Sequence, residues 1–435
     1  MINNFNNPSD TRNYPERWKT IQGRYLFEEI DERSVDGTEE LLTVSHITGI
    51  TPRSMKSVTM FQAESLIGYK KCSVGDIGTN TMWAWQGAIG VSRYDGVISP
   101  SYNVYRQSAK AFDSNYLDYL LRERKVVDVY HSLSTGIRPS RLRMYPEQFF
   151  SIDFPVPDRE EQKKIVDYLN WKVSIINKLL RTAKSRVNDV FDLIQLQLYS
   201  EDSTVVEIGG FETAFSRAWG TMKARYMFQE RNEKGYSDKE LLAVTQDRGV
   251  LYKKDCAQRY VQPNDVTKQK LVCERDYIIS LRSFQGGIET SYVSGLVSAA
   301  YSVFCLNKEF EKYFDYYALL FKSKPFITYL NSLVKDIRDG KKISFDEFCE
   351  CWLPIPPDDV VERIKKLKTL YELLSDRYQK MKVDLADLKT QIISEVINGE
   401  IDVRDVFIPE YEVVTDDDMP LSEDDPEETI DVEEE

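Results

Sequence analysis

WKTIQGRYLF at residues 18–27 returns as WGTMKARYMF at residues 219–228, with five of ten positions identical: Trp18/Trp219, Thr20/Thr221, Arg24/Arg225, Tyr25/Tyr226 and Phe27/Phe228. Working outward, EELLTV at 39–44 meets KELLAV at 239–244. WQGAIGVSRYDGVISPSYNVY at 85–105 meets FQGGIETSYVSGLVSAAYSVF at 284–304, with eight of 21 positions identical, among them Gln86/Gln285, Gly87/Gly286, Gly96/Gly295 and Tyr102/Tyr301. LSTGIRPSRL at 133–142 lies against LVKDIRDGKKI at 333–343, and FPVP at 154–157 against LPIP at 353–356. Five collinear blocks at an offset near 200 are an internal duplication, the first thing to establish before assigning elements.

Each half reads as α+β. Short β-branched and aromatic runs broken by Gly, Ser and Pro in 85–105 suit strands and turns. FDSNYLDYLLRERKVVDVYHSL at 112–133 and FDYYALLFKSKPFITYLNSL at 314–333 have helical spacing, and Pro325 should break or kink the second. Each half then runs into a long helix. The first follows Pro157, with Asp158 as N-cap and Glu160 and Glu161 at the positive helix end. Its apolar positions, Val166, Leu169, Val173, Ile176, Leu180, Ala183, Val187, Val190 and Ile194, step by three and four without a miss, the spacing of a coiled-coil seam. After Pro357 the second copy repeats this with Ile364, Leu367, Tyr371, Leu374, Tyr378, Met381, Leu385, Leu388 and Ile392, and Gly399 stops it. The seams align at offset 198 and the prolines at 199, so the helices differ by a residue in register.

The expected architecture is two globular domains alternating with two long helices that form an intramolecular coiled coil. The domains cover 1–157 and 201–356, the helices 158–200 and 357–404, and an acidic disordered tail 405–435. Either helix orientation is sterically open. An antiparallel pair would give approximate two-fold symmetry, with one domain at each end of about 60 Å of helix.

The formal net charge of −14 comes from the tail: 14 of 71 acidic residues lie in 410–435, which has no Lys or Arg, so 57 acids face 57 bases over the rest of the chain. Its polar start, MINNFNNPSDTRNYPERW, carries no apolar signal stretch, and no run approaches the ~20 apolar residues of a membrane span. Cys72, Cys256, Cys273, Cys305, Cys349 and Cys351, with only His46 and His131, have neither zinc-ligand nor disulfide-framework spacing; buried thiols in a cytoplasmic protein are expected.

Catalytic motifs are missing. Pro356–Pro357 sits between Ile355 and Asp358, not in the polar-Pro-Pro-aromatic loop that holds a flipped base. Gly340-Lys341-Lys342 lacks the first Gly and the hydroxyl of a phosphate-binding loop. Asp158, Glu161 and Lys163 have the residue types of a metal nuclease but sit at a helix start, where capping accounts for them. The two histidines have no counterpart in the second copy.

Two stretches resemble the specificity subunit of type I restriction–modification systems: PVPDREEQKKIVDYLN at 155–170, with its Pro-ended strand followed by E-Q-x-x-I, and LKTQIISEVINGEIDVRD at 388–405. The order domain, helix, domain, helix extends the resemblance over residues 14–405. The second helix entry, PIPPDDVVERI at 354–364, departs from it, with Val361 where the first copy has Gln162. The resemblance implies a non-catalytic subunit. Each domain would read part of a bipartite site in double-stranded DNA, and the helices would space the domains and bind methyltransferase subunits. Those partners would use S-adenosylmethionine to methylate adenine at N6, and motor-nuclease subunits would use ATP and Mg. The chain itself would hold no cofactor and no metal. A coiled-coil scaffold that binds only proteins, and a single-chain modification enzyme, remain open alternatives.

DNA contacts call for basic and polar donors in corresponding loops. The candidates are Lys70, Lys71, Arg93, Arg138, Arg141 and Arg143 in the first copy, and Lys268, Lys270, Arg282, Lys335, Arg338, Lys341 and Lys342 in the second. Arg138 and Arg338 align in a loop that is basic in both. Positions identical in both copies, such as Trp18/Trp219 and Tyr102/Tyr301, should be core, because readers of different half-sites must differ where they touch bases. Replacing residues 14–157 by a homologous domain should change one half of the recognised site and leave the other, as read by methylome sequencing; a change in both halves would contradict the division.

Overall fold

The computed structural model describes residues 14–55, 65–136, 142–199, 219–246, 249–256, 265–281, 283–333 and 343–415. The chain divides into two compact units, residues 1–182 with 380–435, and residues 183–379.

In unit 1 the order is β1 (Lys19–Gln22), β2 (Phe27–Ile30), β3 (Leu42–Ser45), β4 (Gly49–Pro52), β5 (Lys70–Cys72), β6 (Ile77–Thr79), β7 (Ile89–Val91), β8 (Gly96–Ile98), β9 (Asn103–Gln107), α1 (Ser114–Leu121), α2 (Arg124–Leu133), α3 (Pro146–Phe150), β10 (Asp153–Val156) and then α4 (Arg159–Leu198), which continues into unit 2. The central sheet is β2-β9-β6-β7, flanked by the ribbons β1-β10, β3-β4 and β5-β8; every one of these pairings is antiparallel.

Unit 2 repeats the plan: β11 (Gly220–Lys223), α5 (Ala224–Met227), β12 (Phe228–Arg231), β13 (Leu242–Thr245), β14 (Gly249–Tyr252), β15 (Lys270–Val272), β16 (Tyr277–Ile279), α6 (Ser283–Gly286), β17 (Glu289–Thr290), β18 (Gly295–Val297), β19 (Ser302–Leu306), α7 (Phe314–Leu320), α8 (Lys324–Leu333), α9 (Phe345–Cys349), β20 (Trp352–Ile355) and α10 (Asp358–Ile397). Its sheet is β12-β19-β16-β17, with ribbons β11-β20, β13-β14 and β15-β18. Gly96 and Gly295, identical in the two copies, are required sterically: a Cβ would strike the carbonyl of Glu40 at one and of Glu240 at the other.

The aromatic cores correspond as well. Phe27 packs on Phe149 and Phe154 at ring distances of 5.5 Å, with Tyr105 stacked 4.4 Å from Phe149. Phe228 packs on Phe348 at 5.3 Å, with Phe304 4.7 Å from Phe348. Both 112–133 and 314–333 are broken into two helices. Pro325 stands in the first turn of α8, where its missing N–H costs nothing. The first copy breaks without a proline, because Glu123 turns out of the helix and accepts the Val126 N–H at 3.1 Å as a new N-cap.

Both long helices form. Asp158 Oδ1 accepts the Glu161 N–H at 2.8 Å, and Gly399, at φ 71°, stops α10 in the left-handed conformation. In unit 1, Ile165, Val166 and Leu169 from the start of α4 bury with Val396 and Ile397 from the end of α10. In unit 2, Val190, Ile194 and Leu198 from the end of α4 bury with Val360, Val361 and Ile364 from the start of α10. Start meets end in both, the antiparallel order. The seams are unequally buried: on α4 all but Leu180 and Ala183 are buried, whereas on α10 only Ile364 is, and Leu388 is 42 % exposed. The α10 seam from Leu367 to Ile392 is therefore a half-covered stripe rather than a closed zipper.

Gln162 is fully buried. Its Oε1 accepts the Asp113 N–H at 2.7 Å, and its Nε2 donates to the carbonyls of Ala111 and Pro157 at 3.0 and 2.9 Å. With every polar atom spent inside unit 1, it fastens the helix start to the 111–113 turn; Val361 replaces those bonds by apolar packing. One reading of the sequence changes: the segment expected as an acidic disordered tail from 405 is docked as far as Val414. Residues 401–415 run back along α4. Val403 is buried with Trp18 and Ile165, Arg181 and Lys178 grip Glu412, and Val414 is 1 % exposed. Val414 N donates to Ser174 Oγ at 3.2 Å, and Asn177 Nδ2 donates to the Val414 carbonyl at 3.0 Å. Composition reports charge but not such pairings. Arg181 and Lys178 hold the Glu412 carboxyl down to about 2, so its contribution is present above the ordinary carboxylate range and is lost as pH falls towards that value. Ending the chain at residue 409 should lower the melting temperature, by about 2 kcal/mol of lost burial and hydrogen bonding, while ending it at 415 should not; equal melting of the two truncations would refute the docking.

Candidate nucleic-acid interface

The sequence-derived basic residues separate into three groups. Lys70 on β5 and Lys270 on β15 occupy equivalent positions and are buried; their ammonium groups lie 3.7 Å from Asp31 and 3.6 Å from Glu230. Long cationic side chains of this kind can cover apolar surface with their stems. Both have the surroundings of structural residues. Lys71 pairs with Glu39 at 3.1 Å and Lys268 with Asp265 at 3.6 Å, surface pairs worth little. Arg93, in the turn between β7 and β8, is exposed and has no hydrogen bond or ion pair among the described residues.

Arg143 is exposed at the stem of the basic loop, where its backbone exchanges two 2.9 Å hydrogen bonds with Thr135. Arg138, Arg141, Arg282, Lys335, Arg338, Lys341 and Lys342 lie outside the described residues.

Around that stem the fold gathers residues that sequence reasoning passed over. The Met144 N–H donates to the Thr81 carbonyl at 3.1 Å, and the Arg143 guanidinium rests 3.9 Å from Met82 Sδ. Beside Met82, half-buried Trp83 stacks on Trp85 at 6.5 Å, and Trp85 lies 5.7 Å from His131 of α2. In unit 2, Phe284 takes the place of Trp85, its carbonyl accepting from Asn331 Nδ2 at 2.7 Å. Planar rings beside an arginine can stack on or wedge against bases, while the cation meets phosphate. The signal available in the sequence was the aromatic at 85 and 284 immediately before the shared Gln-Gly.

A second pair of equivalent sites is structural. Asp76 and Asp276 are buried, and each closes a turn by accepting a backbone N–H, from Ser73 at 2.9 Å and Cys273 at 2.7 Å. Arg106 on β9 neutralises Asp76 with bonds of 2.7 and 2.8 Å. Unit 2 has Cys305 at that position. Its cation comes instead from the neighbouring strand, where Arg231 on β12 reaches Asp276 at 2.7 and 3.3 Å. Burial lifts the Asp276 carboxyl above its ordinary range, so the carboxylate depends on the guanidinium beside it. Arg106→Ala should cost about 2–3 kcal/mol by stranding a buried carboxylate. Adding Ile30→Arg, the unit 2 arrangement, should recover most of the lost melting temperature; no recovery would show that the two geometries are not interchangeable.

The six cysteines are free thiols, and burial pushes Cys72 up to about 12. Among the described residues no cluster of His, Cys, Asp and Glu has a metal-site arrangement, and no helix is long and apolar enough to cross a membrane.

No family model and no curated protein matches the chain. Solved structures do. One, from work on complex assembly and conformational transition of the type I R-M system, has a TM-score of 0.56 at 13 % identity, covering 89 % of this chain and 100 % of that one. Two others are the HsdS subunit from Thermoanaerobacter tengcongensis (TM-score 0.42, 14 % identity, 89 % and 98 % covered) and the type I restriction-modification system S subunit from M. genitalium (0.40, 13 %, 89 % and 97 %). At this identity the first likeness is one of fold.

Proposed function

We propose that the chain is the DNA-specificity subunit of a type I restriction–modification complex. Unit 1 and unit 2 carry the target-recognition domains of residues 1–157 and 201–356, each reading one half of a split, asymmetric site in double-stranded DNA. The helices set the separation of the halves. Methyltransferase subunits using S-adenosylmethionine methylate adenine at N6, and motor-nuclease subunits using ATP and Mg cut unmodified DNA, with the assembly in the cytoplasm. The observation that carries this reading is the collinear duplication in which each globular copy runs into a 40-residue helix. The fold shared with a type I R-M protein supports it, as do the two retained sequence stretches at 155–170 and 388–405.

Two readings compete with it. Methyl transfer to DNA by the purified chain alone, given S-adenosylmethionine, would make it an enzyme. A chain that shows no preference for any DNA sequence together with its methyltransferase would be a scaffold. The spacer role has its own test. The docked 401–415 segment grips Ser174, Asn177 and Arg181, so a deletion there would confound length with stability. Removing one heptad from each helix, Ala183–Asp189 and Tyr371–Arg377, takes out about 10 Å of rise and should shorten the recognised spacer by about three base pairs. An unchanged spacer would refute the ruler.

A further inference from the structure

Trp18 and Trp219, and Phe27 and Phe228, need no function to explain their retention in both copies of the opening block: three are buried and Trp219 packs at a ring distance of 6.3 Å from Tyr316. The other three identities in that block are exposed in both units: Thr20 and Thr221, Arg24 and Arg225, Tyr25 and Tyr226. Tyr25 is 69 % exposed and Tyr226 62 % exposed. Neither phenol makes a hydrogen bond among the described residues. A single exposed tyrosine is ordinary. The same exposed Thr, Arg and Tyr kept through a duplication that changed half of the block requires a contact common to both units.

The turn that carries them is rigid. It follows β1 and β11, and its backbone is pinned to the strand-leading segment before the long helix: Gly23 N donates to the Ile152 carbonyl at 2.8 Å, and Ala224 N to the Cys351 carbonyl at 2.9 Å. A Cβ at Gly23 would lie 2.9 Å from the Phe149 carbonyl, so the turn sits hard against α3. Arg and Tyr are thus held outward on fixed backbone. In unit 1 the neighbouring exposed side chain is Lys19, and residues 17–25 contain no acid. All the polar groups presented by Lys19, Thr20, Arg24 and Tyr25 can donate hydrogen bonds. Their common complement is an anion with several acceptor oxygens.

We infer that the Thr-Arg-Tyr set of each unit binds the phosphate backbone of double-stranded DNA. This rests on the DNA-reading function proposed above. It explains why the set is shared although the base readers must differ, since phosphates are the part of the duplex that every half-site has in common. The two units are not equal in this. Glu350 pairs with Lys223 at 2.9 Å and with Arg225, whereas unit 1 has Ser151 at the matching place. Arg225 must give up Glu350 to meet a phosphate and Arg24 gives up nothing, so the unit 1 set contributes more.

The test uses the full chain assembled with its methyltransferase, in the double variants Arg24→Ala/Tyr25→Phe and Arg225→Ala/Tyr226→Phe, measured by anisotropy on a random-sequence duplex and on the recognised duplex across a salt series. Both variants should melt with the wild type and co-purify with the methyltransferase. Arg24→Ala/Tyr25→Phe should weaken both duplexes by the same factor, about tenfold at low salt, and reduce the slope of log affinity against log salt by about one; the unit 2 variant should do less. An unchanged slope overturns the proposal. Loss of co-purification would assign the surface to the methyltransferase instead, and a changed base preference would make it a reader; either overturns it too. If the wild-type complex binds the random duplex but prefers no sequence, the specificity function fails while the phosphate contact is still tested.

Discussion

Each globular core is completed by helix turns from both copies. Unit 1 closes on Ile165, Val166 and Leu169 from its own helix and on Val396 and Ile397 from the helix that succeeds the second copy. Unit 2 closes on Val190, Ile194 and Leu198, and on Val360, Val361 and Ile364. At about 1.5–3 kcal/mol for each fully buried aliphatic side chain, neither core can release a helix without losing much of a domain's net stability. The helix pair is therefore part of both cores and not an appended linker.

The same economy of attachment governs the chain's far end. After Gly399, residues 401–406 return to the core of unit 1 through Ile401, Val403 and Val406, and the segment continues along α4 to Val414. Ser174 and Asn177 are polar residues on a buried helix face, which would be costly without partners. The Val414 backbone bonds to both. Most of the chain's charge imbalance therefore belongs to the acidic sequence beyond residue 415, past the docked segment.

Duplication followed by divergence left its record in how the same physical need is met twice. The buried aspartate that closes the turn before β6 and β16 needs a cation, and β9 supplies it in one unit and β12 in the other. The glutamine at the first helix entry becomes a valine at the second, trading three hydrogen bonds for apolar contact. Structural positions can therefore differ between copies, and exposed ones can agree. Identity between copies identifies function only when burial is known, which is why Thr20, Arg24 and Tyr25 could not be told from Trp18 and Phe27 in the sequence.

By itself the sequence determined whatever is local or periodic. The duplication shows as five collinear blocks in the sequence itself, and the two helices with their Asp158 cap and Gly399 stop rest on residues within a few positions of one another. Helix direction, the burial of Lys70 and Lys270, the enclosure of Gln162 and the docking of Val414 were decided only in the tertiary structure. They depend on pairings such as Asn177 with Val414, 237 residues apart, and on which side of a ribbon faces the core. Composition carries neither. A lysine reads as a surface cation until its strand is placed, and an acidic segment reads as solvated until one valine within it meets the helix face that carries Ser174 and Asn177.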